Sequence, residues 1–361
     1  MTDPRTLRQG WTTGACATAA ARAAFAALRT GSFPDPVQIR LPKDRTPAFA
    51  LTRWYLADDG TSASAAVTKD AGDDPDVTHG AVIHATVRRL SAGSGLVFRA
   101  GEGVGTVTKP GLPLPVGDPA INPCPRAMIA ENLSDEAAGG PIDLEVTIGI
   151  ERGAELALKT MNPRLGILGG LSVLGTTGVV VPYSCSAWIH SIHRGIDVAR
   201  AAGQTHLIAT TGSTSEKAAL ALYPVPEEAL IDMGDFVGAV LKYLRRHPVP
   251  RLTVAGGLAK ISKLAVGHMD LHSGRSSVDT NGLADLLHDM GAPDEAVAAA
   301  RAAVTVGGIL EIARMHGLDR RLSDTLCKRA REASLAVLSG GVAVDVIAFD
   351  RQGREVGRAG P

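Results

Sequence analysis

The chain has 361 residues, with 37 basic and 37 acidic side chains and a formal net charge of zero. That is length for about two domains, and the balance leaves no basic footprint for a phosphate backbone, so nucleic-acid binding is not expected. With 45% apolar and 20% charged residues the chain can bury a core, while 41 Gly, 21 Pro and only 4% aromatics place its binding surfaces on loops.

In chain order, the first element is a helix over residues 14–28, where nine alanines give high propensity and a slim surface, with Thr12 or Thr13 as cap. Short alternating or β-branched runs at 37–41, 49–56, 64–68, 82–88 and 96–99 predict a largely antiparallel sheet. Residues 103–125 pack six prolines and four glycines around one lysine, which excludes regular structure and predicts a long ordered loop. A helix over 126–136 and a strand over 142–150 close a first domain, residues 1–150, of mixed helix and strand.

Residues 151–361 change rhythm. Apolar runs at 165–168, 178–181, 206–209, 229–231 and 252–255 alternate with helical segments, which predicts parallel strands in a three-layer α/β domain. In such a sheet ligands bind at the carboxyl ends of strands, here TTGST (210–214), MGDF (233–236) and Gly256–Gly257. Residues 281–339 read as helical and 342–349 as a final strand. Residues 165–193 lack Asp, Glu, Lys and Arg, but five glycines and Pro182 make a membrane span untenable. No apolar run suits a signal peptide, and Cys16, Cys124, Cys185 and Cys327 form no CxxC pair. A reducing cytoplasm fits best.

Three constellations carry candidate chemistry. KDAGDDPDVTHG (69–80) crowds Asp70, Asp73, Asp74 and Asp76 between Lys69 and His79. It reads either as an Asx-rich exposed turn, as a cation site whose spacing misses the calcium-loop pattern, or as an acid/base group in a cleft. NPRLGILGGLSVLGTTGVVVPYS (162–184) sets glycine turns where backbone amides can approach an anionic ligand, without matching the dinucleotide fingerprint; close packing alone is the alternative. GHMDLHSGRSSVD (267–279) alternates His268, Asp270 and His272, one face of a strand if extended and an ordinary polar loop otherwise. His190 and His193, three apart, suit an amphipathic helix face.

Together with GWTTGACATAAARAA (10–24), GEGVGTVTKPGLPLPVGDPAINPCPR (101–126) and GLAKISKLAVGHMDLHS (257–273), the first two constellations resemble the cobalt-precorrin-5B C1-methyltransferase (CbiD) family of anaerobic cobalamin biosynthesis. The resemblance implies transfer of a methyl group from S-adenosylmethionine to carbon 1 of a cobalt-containing, ring-contracted tetrapyrrole. The cobalt belongs to the substrate, and no protein-bound metal is implied. A homo-oligomer and transient contacts with neighbouring pathway enzymes are compatible with it; a corrinoid carrier without catalysis and a nucleotide-dependent transferase or dehydrogenase are the alternatives.

The family lacks the signature of the other corrin-ring methylases, so the site is argued physically. Methyl transfer from a sulfonium is an in-line displacement needing orientation more than covalent catalysis. The cofactor is expected at Gly166, Gly169, Gly170, Gly175, Thr176, Thr177 and Gly178, with Asp232 or Asp235 on the ribose and Glu216 as a rival. Substrate carboxylates are expected on Thr12, Thr13 and the start of the first helix, and on Lys69, Lys109, Arg126, Arg164 and Lys260, with Lys263 and Arg275 beside them. Asp70, Asp73 and His79 are the candidate catalytic residues, Asp70 or His79 managing a proton if the step needs one. Cys16 and Cys124 read as small buried residues.

Overall fold

The structure, a computed structural model, describes residues 7–360. It divides into two compact units, Met1–Cys185 and Ser186–Pro361. The break lies 35 residues beyond the expected boundary at 150, and the reason is strand pairing within 151–185.

The first unit is built on a five-stranded sheet of β4 (Arg53–Leu56), β5 (Ser62–Thr68), β6 (Val82–Arg89), β9 (Leu144–Ile150) and β7 (Leu96–Ala100), in that spatial order. All neighbours are antiparallel except β7 on β9. Alternate residues Ala63, Ala65, Val67, Ile83, Ala85, Val87, Val146 and Ile148 point to one face and are buried there with α1 (Thr13–Thr30). The helix is alanine nearly all round, so sheet, helix and α2 (Pro123–Ala137) pack at short range with little side-chain entropy lost. Its two charged residues, Arg22 and Arg29, lie 3.2 and 3.8 Å from Glu136 of α2. The second helix starts three residues earlier than predicted, since Pro123 is tolerated in a first turn. Short hairpin strands β2 (Val37–Gln38) and β3 (Ala48–Phe49) pair antiparallel beside this core.

The apolar runs at 165–168 and 178–181 belong to this unit and not to a parallel sheet. β10 (Ile167–Leu168) pairs antiparallel with β8 (Thr106–Val107), and β11 (Val179–Val180) pairs antiparallel with β1 (Gly10–Trp11). A two-residue apolar run buries as well against any edge that offers donors, so its composition does not name its partner. The Pro/Gly-rich loop is ordered around its own small core of Val107, Leu114, Ala120 and Ile167. A single short helix, α3 (Gly153–Ala157), follows β9.

The second unit is the expected α/β layer structure. Its sheet runs β13 (Leu230–Asp232), β12 (His206–Thr210), β14 (Arg251–Gly257), β15 (Ala343–Phe349) and β16 (Glu355–Ala359), with the first four parallel and β16 antiparallel. One face carries Ile208, Leu230, Ala255 and Ile347 under α5 (Ser213–Leu222). The other carries Leu207, Ala209, Val254 and Val346 under α4 (Cys185–Ala201), α6 (Val237–Arg246), α7 (Leu258–Ala265) and α11 (Asp319–Leu338). Helices α8 (Thr280–Asp289), α9 (Asp294–Ala302) and α10 (Val306–Met315) extend this layer. Among the described residues no helix is long and apolar enough to cross a membrane.

Candidate functional site

In the first unit, three segments distant in sequence are tied into one hydrogen-bonded layer around residues 8–14. On one side Trp11 N–H donates to the Asp70 carbonyl at 2.7 Å, Arg8 N–H donates to the Asp73 side chain at Oδ2 at 2.6 Å, and Asp73 N–H donates back to Arg8 O at 2.9 Å. On the other side Thr12 N–H donates to Gly178 O at 3.0 Å and Gly14 N–H to Leu174 O at 2.9 Å. The flanking segments also meet directly, Tyr183 N–H donating to Asp74 Oδ1 at 2.8 Å. Glycine is required where these chains touch. A Cβ on Gly10 would stand 2.0 Å from the Ala71 carbonyl carbon, and one on Gly72 2.1 Å from Arg8 O.

The aspartate loop answers its own charge crowding. Asp70 accepts both guanidinium nitrogens of Arg8 and the Gly72 amide, and this hydrogen bonding lowers its pKa to about 2. Burial would raise the Asp76 carboxyl, but Lys69 at 2.6 Å and two bonds from Thr78 outweigh it and hold it below the usual carboxylate range. His79 Nδ1 accepts the Ala71 amide at 3.1 Å, so the neutral ring carries its proton on Nε2.

These contacts revise several expectations. An Asp70 that titrates near 2 is a weak base and no acid at neutral pH, Asp73 is engaged with the Arg8 amide, and His79 presents a donor at its outer nitrogen instead of a base. Lys69 is 1% exposed and faces Asp76, which removes it from a substrate carboxylate. Thr12 and Thr13 are buried as well. Thr12 Oγ1 caps the helix through Ala15 N–H, and Thr13 Oγ1 both donates to and accepts from the Leu174 backbone, so the helix start is closed by protein. Arg126 clasps the Pro/Gly loop through Asp118, Ile121 O and Pro119 O.

The glycine turns divide by role. A side chain on Gly170 would collide with the Gly103 carbonyl at 2.3 Å, on Gly175 with Thr12 and on Gly178 with Leu41, so these three serve chain-on-chain packing. Gly166 has φ 71° and leaves room for the Lys109 stem, two residues after Arg164. Thr177 Oγ1 bonds the Val179 backbone at 3.3 Å. Gly169 and Thr176 face outward. Along the same layer Val77, Leu174, Val181 and Tyr183 are exposed, Tyr183 at 68%. Such apolar exposure suits a flat, partly apolar ligand.

The other predicted cofactor residues, Asp232 and Asp235, stand in the second unit, so the expected cofactor set is not one local cluster of a single domain. Asp232 ends β13 in register with Thr210 of β12. Asp235 is ion-paired to Lys260, whose ammonium also reaches Leu271 O at 3.4 Å. Lys263 donates to that carbonyl at 2.9 Å, and burial, aided by Lys260, lowers its pKa. Glu216 lies in the first turn of α5. His268, Asp270 and His272 are in a loop and not on a strand. There Asp270 pairs with Arg275 at 2.8 Å, and His272 Nδ1 accepts the Gly274 amide. Among the described residues no group of three or more His, Cys, Asp or Glu is placed to hold a metal ion. On α4 the His193 ring stacks on Tyr243 at 4.1 Å. Cys16 is buried, which pushes its thiol up to about 12, whereas Cys124 is exposed. Arg8 and Trp188 are the residues sequence reasoning missed; Thr210 lay within the TTGST strand end, and Leu174 and Tyr183 within the 162–184 segment, each without a role of its own.

Comparison with known proteins identifies the family. Residues 1–182 match the CbiD family model and residues 270–360 the model of the CbiD C-terminal domain. A cobalt-precorrin-5B C(1)-methyltransferase of Paramagnetospirillum magneticum is 58% identical, over 99% of this chain and 100% of that one. Proteins of the same name from Bradyrhizobium sp. (59%, 99% and 95%) and Rhodospirillum rubrum (58%, 99% and 99%) are equally similar. A crystal structure of a cobalamin biosynthesis protein (cbiD) from Archaeoglobus fulgidus is 26% identical, covers 74% of this chain and 83% of that one, and has a TM-score of 0.40. The chain belongs to the CbiD family.

Proposed function

We propose that the chain is a methyltransferase that acts in the cytoplasm on cobalt-precorrin-5B, forming cobalt-precorrin-6A by methylating carbon 1 with S-adenosylmethionine as donor. The observation that carries this reading is identity of 58–59% with proteins of that name over 99% of this chain, a span that takes in both units. When bound, the donor supplies an electrophilic methyl on a sulfonium. The chain's share is orientation and charge, since in-line displacement by a ring carbon needs no covalent enzyme intermediate.

The layer around residues 8–14 supports the macrocycle half of this reading. Exposed Val77, Leu174, Val181 and Tyr183 give one face of the ring an apolar seat, with Lys109 and Arg164 for its carboxylate arms. His79 donates from Nε2 to an arm or a ring substituent, and Asp70, ionised through the physiological range, keeps Arg8 and the loop fixed. In this account the loop orients and moves no proton.

Anaerobic incubation of the purified chain with S-adenosylmethionine and cobalt-precorrin-5B is expected to add the mass of one methyl group and release S-adenosylhomocysteine. Pigment that binds yet stays unmethylated would make the protein a carrier instead.

A further inference from the structure

We infer that the carboxyl-end crest of the second unit's sheet, between β12 and β14, is a nucleoside site for the adenosyl group of the methyl donor; this rests on the methyltransferase reading for the ligand's identity but on the second unit alone for its place. The topology marks the spot first. The connection after β12 leaves by α5 on one face, whereas the chain after β14 leaves by α7 on the other. Where successive connections depart to opposite faces of a parallel sheet, the strand ends open a crevice. Both helices begin there on a glycine, Gly212 and Gly257, with no side-chain cap, and a Cβ on Gly257 would meet nothing within 4 Å. Their first amides therefore stay available to a ligand in a way the capped start of α1 is not.

A second observation is independent of the helix starts. Thr210, the last residue of β12, is fully buried, and its hydroxyl has no hydrogen-bond partner among the described residues. Its register partner on β13 is Asp232, and paired residues of parallel strands point to the same face. That face is the one α5 covers, and Thr210 lies at its carboxyl end, where α5 begins. A buried hydroxyl left unsatisfied is unfavourable, and a donor or acceptor from a ligand would relieve it. Asp232, in register beside it, brings to the strand end a carboxylate of the kind that accepts from a ribose diol. Third, the indole of Trp188, 46% exposed, lies against the Gly234 turn that follows β13, 3.5 Å from where a Cβ would stand. An exposed indole beside strand ends is a stacking surface for a purine.

The test is calorimetric titration of the full chain with S-adenosylhomocysteine and, separately, with adenosine. Thr210→Val, nearly isosteric, is expected to weaken both ligands about tenfold while the free protein melts no lower than wild type, because the lost hydroxyl had no partner. Trp188→Ala is expected to weaken adenosine at least as much, with an unchanged circular dichroism spectrum as the check on folding. Wild-type affinity for both ligands in both variants would overturn the site while leaving the methyltransferase reading intact. If the wild type binds adenosine, loses it in both variants and still methylates nothing, the site stands and the methyltransferase reading falls.

Discussion

The layer around residues 8–14 and the crest of the second unit's sheet treat their polar groups in opposite ways. In the first, the helix start is capped by Thr12 and by Leu174 O, each loop carboxylate has a partner, and glycines let three backbones touch. In the second, two helices start without side-chain caps, and a buried hydroxyl lacks a partner among the described residues. A closed hydrogen-bond inventory makes a rigid platform that recognises ligand through what projects from it. An open one is completed by ligand.

The contrast is broken most severely at the glycine contacts. Gly72→Val places a side chain on the Arg8 carbonyl, in a residue whose φ is already 68°. A loss of upwards of about 3 kcal/mol is expected, read as failure to fold or a collapsed melting temperature. Lys69→Met, which leaves half-buried Asp76 without its cation, should cost about 2–3 kcal/mol, less than for a fully buried pair. The same variant sharpens the electrostatics. The Asp76 carboxyl is depressed in the folded chain, so its contribution is present above the unfolded pKa and is lost as pH falls through the folded one. Denaturation by acid should therefore be less steep in Lys69→Met than in wild type.

Asp70→Asn is a milder change, since its pair with Arg8 is exposed and screened. Its pKa falls from 3.8 to about 2, so the stability it adds is complete above about pH 4 and disappears towards pH 2. Melting curves of wild type and variant should differ above that window and converge below it. The smallest effect is expected from His79→Gln, because glutamine can accept the Ala71 amide and still donate outward. Methyl transfer should stay within about threefold of wild type with an unchanged pH profile. A hundredfold loss with a displaced acid limb would restore His79 to proton transfer.

Much of the fold was legible. Nine alanines over 14–28 and the alternation of 206–210 and 251–257 with helical segments announce elements whose periodicity spans enough residues to be read. The failures share a cause in pairing across long separations. Nothing in Val179 or Ile167 says that its partner is Trp11 or Val107, and on that pairing hangs the domain boundary. The site was legible as segments and not as roles. Lys69, Thr12 and Arg126 carry the chemistry of ligand binding in sequence, and only burial shows that each is used inward.

Hydrogen exchange followed by mass spectrometry on the full chain, with S-adenosylhomocysteine and with the cobalt macrocycle added in turn, tests this division most directly. Slowing by the nucleoside is expected at residues 210–216, 232–236 and 256–260, and slowing by the macrocycle at 69–80 and 172–183. Nucleoside protection at 166–178, with the strand ends of the second unit unchanged, would contradict it.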